Sequence, residues 1–232
     1  MFKHKQHLFF DLDHTLWDYE ANSTETLNEL WDAYKLQNWA ISLPEFLATF
    51  TRINEGMWDD LHAGKISKDI IRNERFPRVL AALNIVENTI ALKMQAEYID
   101  VCPTKPYLVD GVKELLEAIH GKYEMHIITN GFDEIQGVKL KSGGIGHYFT
   151  HVITSGMVGY QKPDRQIFDY AMNLAKSAPS DSLMIGDNPV SDIHGAYLAG
   201  IDQVFYNPNK LICPVSPTLE VRSMRDLIPQ LV

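Results

Sequence analysis

The sequence predicts an α/β protein, a doubly wound parallel sheet with an all-helical cap inserted after the first strand. Three observations carry this. From about residue 105 onward, short apolar runs alternate with segments of helical periodicity, the pattern of parallel strands joined by crossover helices. The stretch from Trp17 to about Cys102 has helical stripes and no convincing strand. Ahead of it stands Leu8-Phe9-Phe10, an apolar run of the same character as those in the second half. The expected division is a core of residues 1–16 and 103–232 and a cap of residues 17–102.

The first strand is read at Leu8 to Leu12, apolar except for one acid, which suits a strand buried on both faces. Met125 to Thr129, Val152 to Ser155, Leu183 to Gly186 and Gln203 to Tyr206 read the same way. Between them Val112, Leu115, Leu116 and Ile119 follow helical spacing, and Ile167, Tyr170, Ala171 and Leu174 repeat it. In the cap, Leu27, Leu30, Trp31 and Tyr34 form one stripe. Ile70, Ile71, Val79, Leu80 and Leu83 support another behind an expected Ser67 cap.

Composition narrows the function classes. The 232 residues are 45% hydrophobic and 22% charged, enough for a sizeable core without metal or disulfide staples. A net charge of -9 argues against a surface for a nucleic-acid polymer, so an anionic partner has to be a small molecule whose charge is met locally. Cys102 and Cys213 fit no zinc or redox spacing and read as reduced thiols, which together with the lack of a signal-peptide or membrane-length run predicts a cytoplasmic protein.

Four motifs follow the apolar runs or the connections after them: Asp11-Leu12-Asp13-His14-Thr15, Thr129-Asn130-Gly131, Lys162-Pro163-Asp164 and Gly186-Asp187-Asn188-Pro189-Val190-Ser191-Asp192. In open α/β sheets ligands bind beyond the carboxyl ends of the strands, so these distant motifs are expected to converge on one crevice. Asp11 and Asp13 can divide nucleophile and acid/base work if the chain turns sharply between them. Asp187 and Asp192 supply oxygen ligands, and without a His or Cys cluster beside them the metal they suit is magnesium. For Asp192 a helix cap or salt bridge is the competing reading. Thr129 with the backbone of Asn130 and Gly131 makes a cradle for phosphate oxygens, and Lys162 can neutralise nucleophile and phosphate. Read individually, each motif is also compatible with ordinary turn and helix-start chemistry.

In this order and spacing the residues resemble the magnesium-dependent phosphatases of the haloacid dehalogenase superfamily, whose core is Rossmann-like. The resemblance implies Asp11 as nucleophile and metal ligand, Asp13 as acid/base and metal ligand through its carbonyl, and Thr129, Asn130 and Lys162 on the phosphate. It also implies Asp187 on Mg2+ and Asp192 in the layer behind it. The superfamily's dehalogenases lack an acid/base aspartate matching Asp13, so dehalogenation is disfavoured. A narrower resemblance rests on Asp11 to Trp17, on Asn54, Trp58 and Gly64, and on Ile128 to Phe132. It is to bacterial nucleotidases that hydrolyse pyrimidine nucleoside monophosphates, and it implies Trp17, Asn54 and Trp58 as specificity residues. A tryptophan can stack on a base, although Trp17, Trp31, Trp39 and Trp58 equally suit the core of the cap.

The expected activity is a magnesium-dependent phosphomonoesterase working through an aspartyl phosphate on a small substrate, with pyrimidine nucleoside 5'-monophosphates foremost. A sugar-phosphate phosphatase or phosphomutase is the rival among enzymes. A non-catalytic binding or regulatory protein is the rival outside them.

Overall fold

The computed structural model describes residues 1–232. In chain order the strands are β1 (His7–Phe10), β2 (Glu124–Thr129), β3 (Phe149–Thr154), β4 (Ser182–Gly186), β5 (Asp202–Tyr206) and β6 (Leu219–Val221). All neighbours run parallel, in the order β3-β2-β1-β4-β5-β6. The order reverses between β1 and β4, which are in register from His7 opposite Ser182 to Phe10 opposite Ile185. That reversal opens a crevice at their carboxyl ends.

The helices are α1 (Tyr19–Ala33), α2 (Leu43–His62), α3 (Lys68–Ala82), α4 (Asn88–Val101), α5 (Val112–Ile119), α6 (Asp133–Ser142), α7 (Ser155–Val158), α8 (Arg165–Ala175), α9 (Gly195–Leu198) and α10 (Ile228–Leu231). Contacts divide the chain into a core unit, Met1–Tyr19 with Pro106–Val232, and a cap unit, Glu20–Lys105. Trp17 therefore belongs to the core unit and not to the cap. Its backbone bridges to Asp13 and Leu108, and its ring is fully buried. The strand pairing of the first loop extends the core past its first motif before the chain is released into helices.

In the core unit, period-2 alternation sends Phe9, Ile128, Ile153 and Met184 to one face, where Ile167, Phe168, Ala171 and Met172 of α8 pack on them. Leu8, Phe10, Ile127 and Ile185 alternate with these and are equally shielded, so both faces of the sheet are covered. The stripe of α8 is rotated from the one expected: Tyr170 and Leu174 are exposed, and Phe168, Met172 and Ala175 are buried instead. Helical periodicity allowed both stripes, and contact with the sheet selects one. β6 was not expected. It is three residues long and sits at the edge of the sheet against β5, too short for a periodic signal.

In the cap unit α1 to α4 bury Leu27, Leu30, Trp31, Phe46, Phe50, Ile71, Phe76, Val79 and Tyr98. The rings of Phe50, Phe76 and Tyr98 pack mutually at 5.2–5.5 Å. Ser42 caps α2 by accepting from Glu45 N. Ser67 occupies the equivalent place before α3, but its side chain makes no capping bond, contrary to expectation. Pro77 lies inside α3 and lacks an N–H. Beside it, Phe76 N donates to Gln95 Oε1 at 3.2 Å. No helix of the protein is long and apolar enough to cross a membrane.

Candidate active site

The β1 strand ends at Phe10, and Asp11 N still donates to Ile185 O of β4 at 2.9 Å, so Asp11 stands at the reversal point of the sheet. The chain then turns: Leu12 O accepts from Leu16 N at 2.9 Å and Trp17 N at 2.8 Å, with His14 at φ 65° and His14 N bonded to Trp17 O at 2.9 Å. The turn thus begins at Leu12, between the two acids, and encloses Asp13, and different cations separate their environments. Asp11 Oδ1 accepts from Lys162 Nζ at 2.6 Å, and Asp13 Oδ1 accepts from Lys139 Nζ at 2.5 Å.

Lys162 is 1% exposed and lies within 2.7 Å of Asp192 Oδ1 as well as beside Asp11; it also donates to Ile128 O at 2.7 Å. Its backbone is held by Asn130, whose Oδ1 accepts from Lys162 N at 2.8 Å and whose Nδ2 donates to Lys162 O at 2.9 Å. The side chain of Asn130, expected on phosphate, is thus committed to positioning Lys162. Thr129 ends β2, and its Oγ1 accepts from Gly131 N at 3.0 Å, so that backbone N–H of the expected cradle is engaged. The Thr129 hydroxyl keeps its own proton to donate. Asp164 caps α8 through Gln166 N.

Beyond β4, Asn188 accepts from Val190 N and Ser191 N and so starts the π-helical turn Pro189–His194. The turn places Asp192, 1% exposed, against Gly186, where a Cβ would collide with its carboxylate. Asp192 accepts from Asn188 N at 3.0 Å and Ser191 Oγ at 3.2 Å. It is therefore more than a helix cap: it shares Lys162 with Asp11.

Asp11, Asp187 and Asp192 each offer an oxygen within 4.8 Å of the others. Three carboxylates face one ammonium there, an excess of two negative charges when all are ionised. Burial, with Asp192 and Asp187 adding to it against the pull of Lys162, pushes the Asp11 carboxyl up to about 8. Burial and Asp192 push Asp187 up to about 7, with Thr15 and Lys162 opposing. Burial works to lower the Lys162 ammonium, but Asp11 and Asp192 outweigh it and leave it raised. Such a cluster of oxygens short of positive charge fits a hard divalent cation, and Mg2+ suits few carboxylates completed by water and phosphate. Asp11 and Asp187 are the residues that would hold it, with Asp192 steadying Lys162.

Two residues outside the expected set complete the site. Thr15 is fully buried, and its Oγ1 donates to Asp187 Oδ1 at 3.0 Å. It lies within the first motif, so its position was visible but not its partner 172 residues away. Lys139, 4% exposed on α6, pairs with Asp13, and its Nζ lies 4.6 Å from the centre of the Trp17 ring. A lysine amid the polar sequence of α6 carries no signal of burial. Trp17, expected as a specificity residue, is covered on all sides and supports this ammonium.

In the cap unit, Asn54 is buried and accepts from Arg75 Nη1 at 3.0 Å, so its carbonyl orders that arginine. Trp58 is half-buried, its ring 6.2 Å from that of His62. Gly64, at φ +71°, takes a left-handed conformation just after α2.

The haloacid dehalogenase-like hydrolase family matches residues 5–200. Pyrimidine 5'-nucleotidase PynA of Streptococcus pneumoniae is 31% identical over 225 residues, which cover 95% of this chain and 92% of its own. Pyrimidine 5'-nucleotidase YjjG of Escherichia coli is 31% identical over 223 residues, 95% of each chain. The HAD-hydrolase YfnB of Bacillus subtilis, whose crystal structure is bound to magnesium, matches with a TM-score of 0.86 at 28% identity over 98% of each chain. The reversed parallel sheet, the acids at its reversal point and these similarities agree: the chain belongs to the haloacid dehalogenase-like hydrolases.

Proposed function

We propose that this hydrolase is a cytoplasmic, magnesium-dependent phosphomonoesterase that acts through an aspartyl phosphate on Asp11, with pyrimidine nucleoside 5'-monophosphates as substrates. The observation that carries the reading is the separation of two acids two residues apart: Asp11 lies in the buried cluster with Lys162, and Asp13 is held apart by Lys139. One carboxylate can bond to phosphorus while the other handles a proton.

In the first step an Asp11 oxygen attacks phosphorus in line and the ester P–O bond breaks. The departing oxygen takes a proton from Asp13. In the second step water attacks the acyl phosphate, gives its proton to Asp13, and the bond between phosphorus and the Asp11 oxygen breaks to release phosphate. Lys162 orients Asp11 and faces the charge gathering on the phosphoryl oxygens, and the Thr129 hydroxyl donates to one of them. Bound Mg2+ would keep the carboxylates ionised and offset phosphoryl charge. The nucleotide preference is supported by the similarity to PynA and YjjG, both named pyrimidine 5'-nucleotidases. Trp58 is the ring in the cap unit that this reading assigns to the base.

The test is phosphate release from nucleoside monophosphates, sugar phosphates and an aryl phosphate, each with magnesium and with chelator. Release strongest on pyrimidine monophosphates, abolished by chelator and by Asp11→Asn, is the expected result. Hydrolysis by Asp11→Asn near the parental rate would remove Asp11 as nucleophile. Preference for sugar phosphates would remove the nucleotide assignment.

A further inference from the structure

At the amino ends of β1 and β2, away from the acidic cluster, lies a group of side chains that the phosphatase chemistry does not use. His7 opens β1 opposite Glu124, which opens β2, and His126 lies two residues further along β2 on the same face as Glu124. His7 Nδ1 is 3.3 Å from His126 Nε2 and 3.8 Å from Glu124 Oε2, and one ligand atom from each residue lies within 4.8 Å of the others. From this geometry we infer that His7, His126 and Glu124 form a binding site for a zinc-class divalent ion, distinct from the magnesium-type cluster.

The spacing favours a coordination sphere over a simple contact. Zn–N bonds of about 2.0–2.1 Å place two nitrogens of a tetrahedron about 3.3–3.4 Å apart. As a hydrogen bond between imidazoles the same separation is long, outside the usual range of about 2.7–3.2 Å. Ligand type sets the class of metal: two imidazoles and one carboxylate suit Zn2+ and its neighbours, whereas the all-oxygen cluster at Asp11 suits Mg2+.

His126 is fully buried and its Nδ1 has no hydrogen-bond partner, so the ring makes its polar contact through Nε2, the nitrogen that faces His7. Phe9 and His151 pack on it, with ring centres at 4.9 Å and 5.3 Å, which fixes the ring in place. The Glu124 side chain is 61% exposed, so the cluster has an entry from solvent and an open position for water. His7 opens β1 and Asp11 directly follows its last residue, four residues on and about 13 Å away at about 3.3 Å per residue, so the two sites are separate. An ion here ties together the starts of β1 and β2, whose far ends carry Asp11 and Thr129.

The test is a calorimetric titration of metal-free protein with Zn2+ in excess magnesium, paired with the visible absorption of the Co2+ complex. Wild type is expected to take up one equivalent and to show the intense bands of four-coordinate cobalt. His7→Gln and Glu124→Gln, the latter at the solvent edge, should each weaken binding at least about tenfold. Asp187→Asn should leave it unchanged. Absence of zinc binding in wild type overturns the assignment, as does binding that survives both variants or disappears in Asp187→Asn.

Discussion

Magnesium affinity should rise steeply with pH, because the metal-free cluster holds protons that the ion must displace. Burial pushes the Asp11 carboxyl up to about 8 and that of Asp187 up to about 7. At about pH 6 these values leave about 1% of Asp11 and about 10% of Asp187 ionised, and at about pH 8 about half and about nine-tenths. Asp11 alone thus contributes a gain of about fiftyfold, and Asp187 up to about tenfold more. The two share one site and do not titrate independently, so the expected total is about two orders of magnitude.

The sign also governs stability. Both carboxyls are raised above their unfolded values, so their cost to the metal-free fold is absent below about pH 4 and complete above about pH 8, and magnesium removes it. The assay is calorimetric titration with Mg2+ at about pH 6, 7 and 8 and constant ionic strength, with proton release measured by changing the buffer. An affinity constant within about twofold across that range, without proton release, would refute the charge-deficit account of the cluster.

Three further outcomes follow from individual contacts. Lys139→Met should lower kcat on the order of a hundredfold, because Asp13 loses the cation that positions it, while chemical denaturation shows a loss of about 1–3 kcal/mol; a parental kcat would refute that role. Thr15→Val keeps the side-chain shape but removes the donor to Asp187 and should weaken magnesium about 10–100-fold, read by the same titration; unchanged affinity would show that Asp187 needs no such support. In the cap unit, Arg75 is buried, donates to Asn54 and leaves Nε without a partner. Arg75→Met alone should cost about 1–3 kcal/mol by orphaning the Asn54 carbonyl, and Arg75→Met with Asn54→Leu should recover it, a cycle refuted by a double variant less stable than the single one.

The fold was legible where the signal was long or doubly buried. Leu8-Phe9-Phe10 and Leu183 to Gly186 are shielded on both faces, and that leaves a continuous apolar run in the sequence. β6 has three residues at an edge and leaves no such trace. The α8 stripe shows the limit of periodicity: Tyr170 and Leu174 repeat as faithfully as Phe168 and Met172, and only the position of the sheet decides between them. The same holds for Trp17, which reads as the beginning of the insertion and becomes core because its backbone pairs with Asp13 and Leu108.

At the site, the sequence by itself determined which polar residues follow the strands. Acids directly after apolar strands are costly unless they are used, which singles out Asp11 and Asp187, while Thr129 is named from the strand-to-helix turn and Lys162 from its place between the second and fourth motifs. The tertiary structure decided which partner each of them meets. Asn130 clamps the backbone of Lys162, Lys139 takes Asp13, Thr15 reaches Asp187, and His7 meets His126 across two strands. These pairings join residues 32 to 172 positions apart. Local sequence records the conformational preference and burial of a segment, whereas a hydrogen bond or ion pair between strands depends on sheet order and register. Those are settled by the packing of the whole core.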